Sequence, residues 1–405
     1  MYIACDPLGI TQCRVLWRTL GRLAVIPESF QLPRTTSRSP GRRRLLYVTP
    51  RFLPDAGGTE IHTYEVARRL AGRGDRVAVL TTDREGRLPP NEWIAGIDVI
   101  RVRAVPERSD MYFAPALPTV ITRERWDVVH CQGYHTFVPP VAMLAALRAG
   151  IPYVLSFHSG GHSSHVRNAL RGVQARLLRP LAVRAASLVA VSRFEASLFQ
   201  RRLRVARDRI RVIPNGAEVM LPRPEGRASG HLIISLGRLE RYKGHQHAIR
   251  ALPHVLATLP DVRLALVGSG PYGNALRRLE RQLGVVDRVE HITVSSKDRS
   301  AMAELISSAS LVVLFSEYEA YSVAALEAAA LARPVLVYQN SGLADAVEDG
   351  LAMGISPRAS TRDVAAAIIE ALSSPHPRPD VPVPTWDDCA GALSDLYGEI
   401  LAGAS

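Results

Sequence analysis

Twice along this chain, short apolar runs alternate with stretches of helical periodicity, joined by glycine-bearing loops. The first series opens with the apolar run Leu45–Thr49, a loop at Gly57–Gly58, helical spacing over Glu60–Ala71 that ends at Gly72, and a second run at Val77–Thr81. Strand, loop, helix, strand is a βαβ unit, which implies a parallel sheet. The pattern returns as strand Val128–His130, helix Pro140–Arg148 and strand Tyr153–Phe157, with further strands at Ser187–Val191 and Ile210–Ile213. Met220–Gly230, rich in Pro and Gly, reads as a linker. A second series follows: strand Leu232–Leu236, helix His245–Thr258, strand Arg263–Val267, helix Tyr272–Leu283, strand Leu311–Phe315, helix Val323–Leu331 and strand Val335–Val337. Two Rossmann-like halves of similar size predict an α/β fold with a ligand cleft between them. Trp386–Leu401 has helical spacing and follows a Pro-rich loop, Pro375–Pro384.

Length agrees with two domains. The chain has 405 residues, 47% of them apolar, and domains run to about 100–200 residues. The expected divisions are an extension over 1–44, which reads as disordered or as a misplaced start, a first domain over 45–225, a second over 226–385, and a closing helix over 386–405.

The net charge of +12 is unevenly placed. Residues 1–44 hold eight Arg against Asp6 and Glu28, and residues 166–211 hold twelve Arg against Glu195 and Asp208, so the remainder is acidic. Nucleic-acid binding would spread the charge more evenly. A local Arg patch fits an anionic surface such as a membrane leaflet, and a solvated helix face over Arg167–Arg211 explains the same residues. Only Lys243 and Lys297 are lysines among 50 basic residues, which makes each a candidate for a place where a compact ammonium matters. The four Cys lie far apart with no C-x-x-C, against a disulfide framework or zinc site and for a reducing cytoplasm. No apolar stretch reaches the roughly 18–20 residues of a spanning helix, and Arg14, Arg18 and Arg22 interrupt the N-terminal apolar part, unlike a signal peptide.

The chemistry concentrates in loops that follow strands. Ser316–Ser322 follows a buried run and precedes a helix, which places it at the carboxyl end of a sheet, where open α/β folds bind ligands. Ser322 suits an N-cap, and the helix start offers free N–H groups to an anion or a sugar hydroxyl. Glu319 and Glu327, with seven residues between them, could grip vicinal hydroxyls. In Gly237–Gly244, Arg238 and Lys243 lie five residues apart on one loop and could clamp a diphosphate. Gly57 and Gly58 open a helix where a backbone can approach a ligand. Gly268–Ser269–Gly270–Pro271–Tyr272–Gly273 matches G-x-G-x-x-G, with Glu290 downstream, a pattern that also occurs in dinucleotide sites. His158 ends another predicted strand. His162 and His165 lie near it, but no carboxylate or Cys joins them, so no metal site is expected.

Together these motifs resemble the retaining GT-B glycosyltransferases of family 4, the "glycosyl transferases group 1", over about Leu45 to Leu401. The resemblance implies a GT-B fold: two Rossmann-like domains facing each other across a cleft, the acceptor side N-terminal and the donor side C-terminal, with the last helix crossing back. It implies that Glu319 contacts the donor sugar and Glu327 the ribose, that amides of Ala320, Tyr321 and Ser322 cradle sugar and phosphate, and that Arg238 and Lys243 hold the diphosphate. It also implies that Gly57 and Gly58 touch the phosphates, that Gly268 and Gly270 line the nucleotide site, which is preferred to an NAD reading, and that His158 approaches the sugar. Pro214–Asn215–Gly216 matches the family's P-N-G, for which a turn role suffices. The implied reaction is metal-free, needs no cofactor beyond the nucleotide-sugar co-substrate, and takes a glycan, lipid-linked or small-molecule acceptor, with the protein in the cytoplasm or peripheral on the membrane's inner face. A nucleotide-sugar epimerase or hydrolase, or a non-catalytic binder, are the alternatives.

The segment departs from the family pattern in places. Ala332 stands where the family has a glycine that ends a helix in the left-handed region, at a cost of about 1 kcal/mol if that conformation is kept. Ala320 and Ser322 replace glycines of E-G-F-G, and Ser341–Asp345 replaces G-G-x-P-E. Donor choice is therefore not transferable from better-known members.

Overall fold

A computed structural model describes residues 42–403, apart from 56, 108–111, 160–164, 219–230, 296–297 and 375–380, and apart from the side chains of 165–172. The expected extension up to residue 41, the linker over 220–230, part of the loop over 375–384, His162 and Lys297 lie outside the described residues.

The second α/β series forms one sheet whose strands, in chain order, are β9 (Leu232–Leu236), β10 (Arg263–Val267), β11 (Val289–Ile292), β12 (Leu311–Leu314), β13 (Val335–Tyr338) and β14 (Met353–Ile355). Their order across the sheet is β11-β10-β9-β12-β13-β14, and every pairing is parallel. The apolar runs are unbroken because both faces are covered. Ile233, Leu264, Leu266, Leu311 and Val313 enter one core with Ile249, Leu252 and Ile368. The alternate residues Ile234, Ala265, Val267, Val312 and Leu314 enter the other with Ile306, Ala328 and Leu343. This is the period of two of a strand, buried on both sides.

The strand order reverses between β9 and β12. Chain leaving β9 turns outward in one direction and chain leaving β12 in the other, so a crevice opens at their carboxyl ends. The loops after these two strands are Gly237–Gly244 and Phe315–Ser322.

The strands of the other sheet are β1 (Arg44–Val48), β2 (Arg76–Asp83), β3 (Asn91–Ile94), β4 (Ile97–Arg103), β5 (Val128–Gln132), β6 (Tyr153–Ser156), β7 (Ser187–Ala190) and β8 (Ile210–Val212). Their order across it is β3-β4-β2-β1-β5-β6-β7-β8. β1 lies parallel between β2 and β5, while β3 turns back antiparallel on β4 at the edge. The described residues group into two compact units: those up to Leu155 with Arg184–Ala186 and Glu399 onward, and those of Ser156–Val183 with Ser187–Gly398. The final helix runs Trp386–Gly403. The architecture is the GT-B class, with two parallel-sheet domains.

The helix Val323–Ala330 is capped as its sequence suggests: Ser322 Oγ accepts from the Ala325 amide at 3.3 Å. At its other end Ala332 keeps the left-handed conformation, φ 54°. Its amide donates to Ala329 O, and the Arg333 amide reaches back to Ala328 O, both at 2.9 Å. These two bonds satisfy the last carbonyls of the helix and hold an alanine where glycine is cheaper.

Candidate active site

Lys243 and Glu319 meet at the point where strand order reverses. Lys243 closes a short 3-10 turn, Arg241–Lys243, and Gly244 follows at φ 78°. That backbone lets Gly244 lie against Phe315, where an added Cβ would stand 1.8 Å from the Phe315 carbonyl oxygen. The approach joins the two loops and brings Lys243 Nζ to 2.5 Å from Glu319 Oε1. Ser316 Oγ donates to the same carboxylate oxygen at 2.9 Å. Burial alone would lower the Lys243 pKa, but the Glu319 carboxylate and the Tyr242 phenol outweigh it and raise the value above that of a free lysine. The ammonium is therefore charged at neutral pH, and both side chains keep part of their surface open, at 18% and 17%.

The backbone around Glu319 is fixed from a third loop. Its amide donates to Ser341 Oγ at 2.9 Å, and its carbonyl accepts from the Gly342 amide at 2.9 Å. Gly342 passes so close that a Cβ would stand 1.9 Å from the Ala320 carbonyl oxygen. The Tyr321 ring is buried among Val191, Leu326 and Ala329, and the Tyr321 carbonyl accepts from Asn215 Nδ2 at 3.5 Å. Asn215 thus touches the loop, and it lies in irregular chain rather than in the turn its sequence suggests.

The remaining expected residues are placed as follows. Arg238 lies on the Lys243 loop but points its guanidinium to Glu240 at 2.9 Å, and it is 61% exposed. Its carbonyl accepts from His245 Nε2 at 3.2 Å. Glu327 Oε1 pairs with Arg299 at 2.5 Å. Gly268 and Gly270 pack against the Gly237–Gly244 loop: added Cβ atoms would stand 2.1 Å from the Gly237 carbonyl oxygen and 2.5 Å from that of Leu239. His158 is buried and holds φ 42°, a strained value for a residue with a side chain. Gly57 and Gly58 open the helix Gly58–Gly72 at the carboxyl end of β1, in the first unit, with Glu60 in its first turn. Beside them, burial lowers the Arg51 pKa, but Tyr112, Glu60 and Asp55 raise it above the ordinary guanidinium value.

Sequence reasoning did not single out Arg299 or His245, and it named Ser341 only as a departure from the family pattern, without a role. Arg299 opens the helix Arg299–Ser308, which follows β11 in the chain, and has no local motif. Ser341 stands where the family pattern has glycine, and its hydroxyl supplies a bond that glycine could not. Among the described residues, no group of three or more His, Cys, Asp or Glu is placed to hold a metal ion, and no helix is long and apolar enough to cross a membrane.

Comparison with known proteins fits this fold. The profile of Glycosyltransferase Family 4 matches residues 56–220 and that of Glycosyl transferases group 1 matches residues 223–381. A D-inositol 3-phosphate glycosyltransferase of Acidothermus cellulolyticus is 30% identical over 75% of this chain and 76% of its own. Among solved structures, sucrose-phosphate synthase from Thermosynechococcus elongatus superposes with a TM-score of 0.70 at 20% identity, covering 89% of this chain and 100% of that one. Anabaena HepE in complex with UDP and glucose gives 0.65 at 20% identity, over 90% and 98%.

Proposed function

This chain belongs to the glycosyl transferases group 1 and is a glycosyltransferase, and from that premise we propose that it moves a hexose from a nucleoside-diphosphate sugar to a hydroxyl of a glycan, glycolipid or small-molecule acceptor, with retention at the anomeric carbon. The observation that carries this reading is the Lys243–Glu319 contact at the crossover of a parallel sheet. An open carboxylate beside a fixed ammonium suits a ligand that has hydroxyls at one end and phosphates at the other.

In this reading Glu319 accepts from hydroxyls of the donor sugar. Lys243 and the exposed Arg238 face the diphosphate and stabilise the charge that grows on it as the glycosidic bond breaks. The helix Val323–Ala330 adds its N-terminal amides and dipole. Glu327, steadied by Arg299 at Oε1, takes ribose hydroxyls. The acceptor hydroxyl attacks on the face from which the nucleotide leaves, and the departing phosphate takes its proton, so no separate protein base is required.

A second surface supports a place of action. On the Arg-rich helix His165–Ala182, Val173 and Leu177 are 52% and 77% exposed and lie one turn apart, beside Arg176. Apolar side chains framed by arginines suit an anionic membrane face.

The test of the donor reading is thermal stability of the full chain with UDP-, GDP- and ADP-sugars. A donor at 100 times its Kd stabilises by about 2.7 kcal/mol, so one nucleotide series should raise Tm clearly. UDP-glucose is tried first because UDP and glucose occupy the similar HepE structure. No rise with any of the three series would sink the proposal.

A further inference from the structure

Glu195 is fully buried and, among the described residues, is held by hydrogen bonds rather than by a cation. Its Oε1 accepts from the Ser159 amide at 2.6 Å and from the Ser159 hydroxyl at 2.5 Å, and its Oε2 accepts from the Val191 amide at 2.9 Å. Ser159 Oγ also lies 2.8 Å from the Tyr318 hydroxyl. A serine has one proton to give. With that proton on the carboxylate, the chain of donors runs from Tyr318 to Ser159 to Glu195. Burial pushes the Glu195 pKa up, while the Ser159 and Val191 bonds pull against it.

Two of its three members adjoin residues of the proposed site. Ser159 follows His158, whose φ of 42° needs outside support, and Tyr318 precedes Glu319. The same helical turn holds the loops at other points. The Phe194 ring meets the Tyr318 ring edge-on with centroids 5.7 Å apart. The Arg193 and Phe194 amides both donate to Asp345 Oδ2, at 2.6 and 3.3 Å. A buried carboxylate is an expensive way to fill space, and apolar residues of similar volume often do no worse.

We propose that Glu195 is a positioning residue for sugar transfer, acting through Ser159 to fix the strained His158 backbone and the Tyr318 phenol, and so to keep His158 and Glu319 in one relative geometry. This rests on His158 and Glu319 being the groups that meet the donor sugar.

The experiment takes the full chain with whichever of UDP-, GDP- and ADP-glucose gives the fastest nucleoside diphosphate release, and compares Tyr318→Phe, Ser159→Ala, their double variant and Glu195→Gln. Each single variant should lower kcat about tenfold, equivalent to about 1.4 kcal/mol, with the KM for nucleotide sugar within about twofold. The double variant should be no slower than the slower single one, because both cut the same chain. A 19F label on the Tyr318 ring, read without substrate, should shift in Ser159→Ala and in Glu195→Gln. Single variants within twofold of the parent kcat, losses that multiply in the double variant, or a 19F signal that ignores Glu195→Gln would overturn the proposal. Glu319→Ala, run in parallel, separates the two readings. If it keeps full turnover, the site assignment fails, and the 19F shift alone decides the relay.

Discussion

Lys243 Nζ lies 2.5 Å from Glu319 Oε1 although 76 positions separate the residues in the chain. The contact exists because β9 and β12 are neighbours at the strand-order reversal. Replacing Lys243 by Met leaves the carboxylate without its cation and, in the proposed reading, the departing diphosphate without one of its two. Turnover should fall about 100- to 1,000-fold with the circular dichroism spectrum unchanged. Lys243→Arg should recover only part of the loss, because a planar fork cannot replace a compact ammonium at one oxygen. Steady-state kinetics on the three proteins check this.

His245 gives the second unit a pH dependence. The ring is buried, and its Nε2–H donates to the Arg238 carbonyl while its Nδ1 accepts from the Ser235 hydroxyl at 2.8 Å. That arrangement fits the neutral ring. Burial lowers its pKa from the ordinary 6.5 to about 4, and nearby Lys243 adds to the fall. The folded value lies below the unfolded one, so the contribution to stability is complete above about pH 6.5 and is lost as pH falls toward 4. The loss should be on the order of 3 kcal/mol. Urea unfolding at pH 7 and pH 4.5 should show part of it, and His245→Asn should flatten the difference.

Ala332 at φ 54° marks a place where the protein can be stabilised. Ala332→Gly relieves a left-handed alanine and should add about 1 kcal/mol. The denaturation midpoint should rise with the m-value unchanged; a lower midpoint would show that the helix end does not hold the strain assigned to it.

The exposed pair Val173 and Leu177 should help bind anionic vesicles. The full chain should co-sediment with phosphatidylglycerol-containing liposomes at low salt and leave them at high salt, since the attraction is screened. Leu177→Asp should weaken binding at low salt. Absence of binding at low salt ends the membrane proposal.

How much of this was legible in the sequence follows from where each signal resides. Strands β9 and β10 appear over the same residues as expected, Leu232–Leu236 and Arg263–Val267, because sheets buried on both faces write continuous apolar runs. The β3–β4 hairpin was not foreseen: its turn is Ala95–Gly96, with Ala95 at φ 48°, and alanine carries no turn signal. The Glu319 and Lys243 loops were visible because each sits next to a strand and keeps its family motif. The partners that shape them were not. Arg299 and Ser341, at helix starts, and Asn215, in irregular chain, reach the site from other segments, and no local spacing reports a contact made by topology. Glu195 shows the same limit, since three residues after Ser192 it has the spacing of an ordinary capping box. The Glu195 amide does donate to Ser192 Oγ at 3.0 Å, but its carboxylate turns away to Ser159 and Val191.

The most direct measurement is the configuration of the sugar at its anomeric carbon, followed by proton NMR as the best-stabilising nucleotide sugar is consumed, with water standing in where no acceptor is known. An α-linked donor should give an α-configured product, or α-configured free sugar as the first anomer formed, and Glu319→Ala should give none. A β-configured first product, or product formation indifferent to Glu319, would contradict the account.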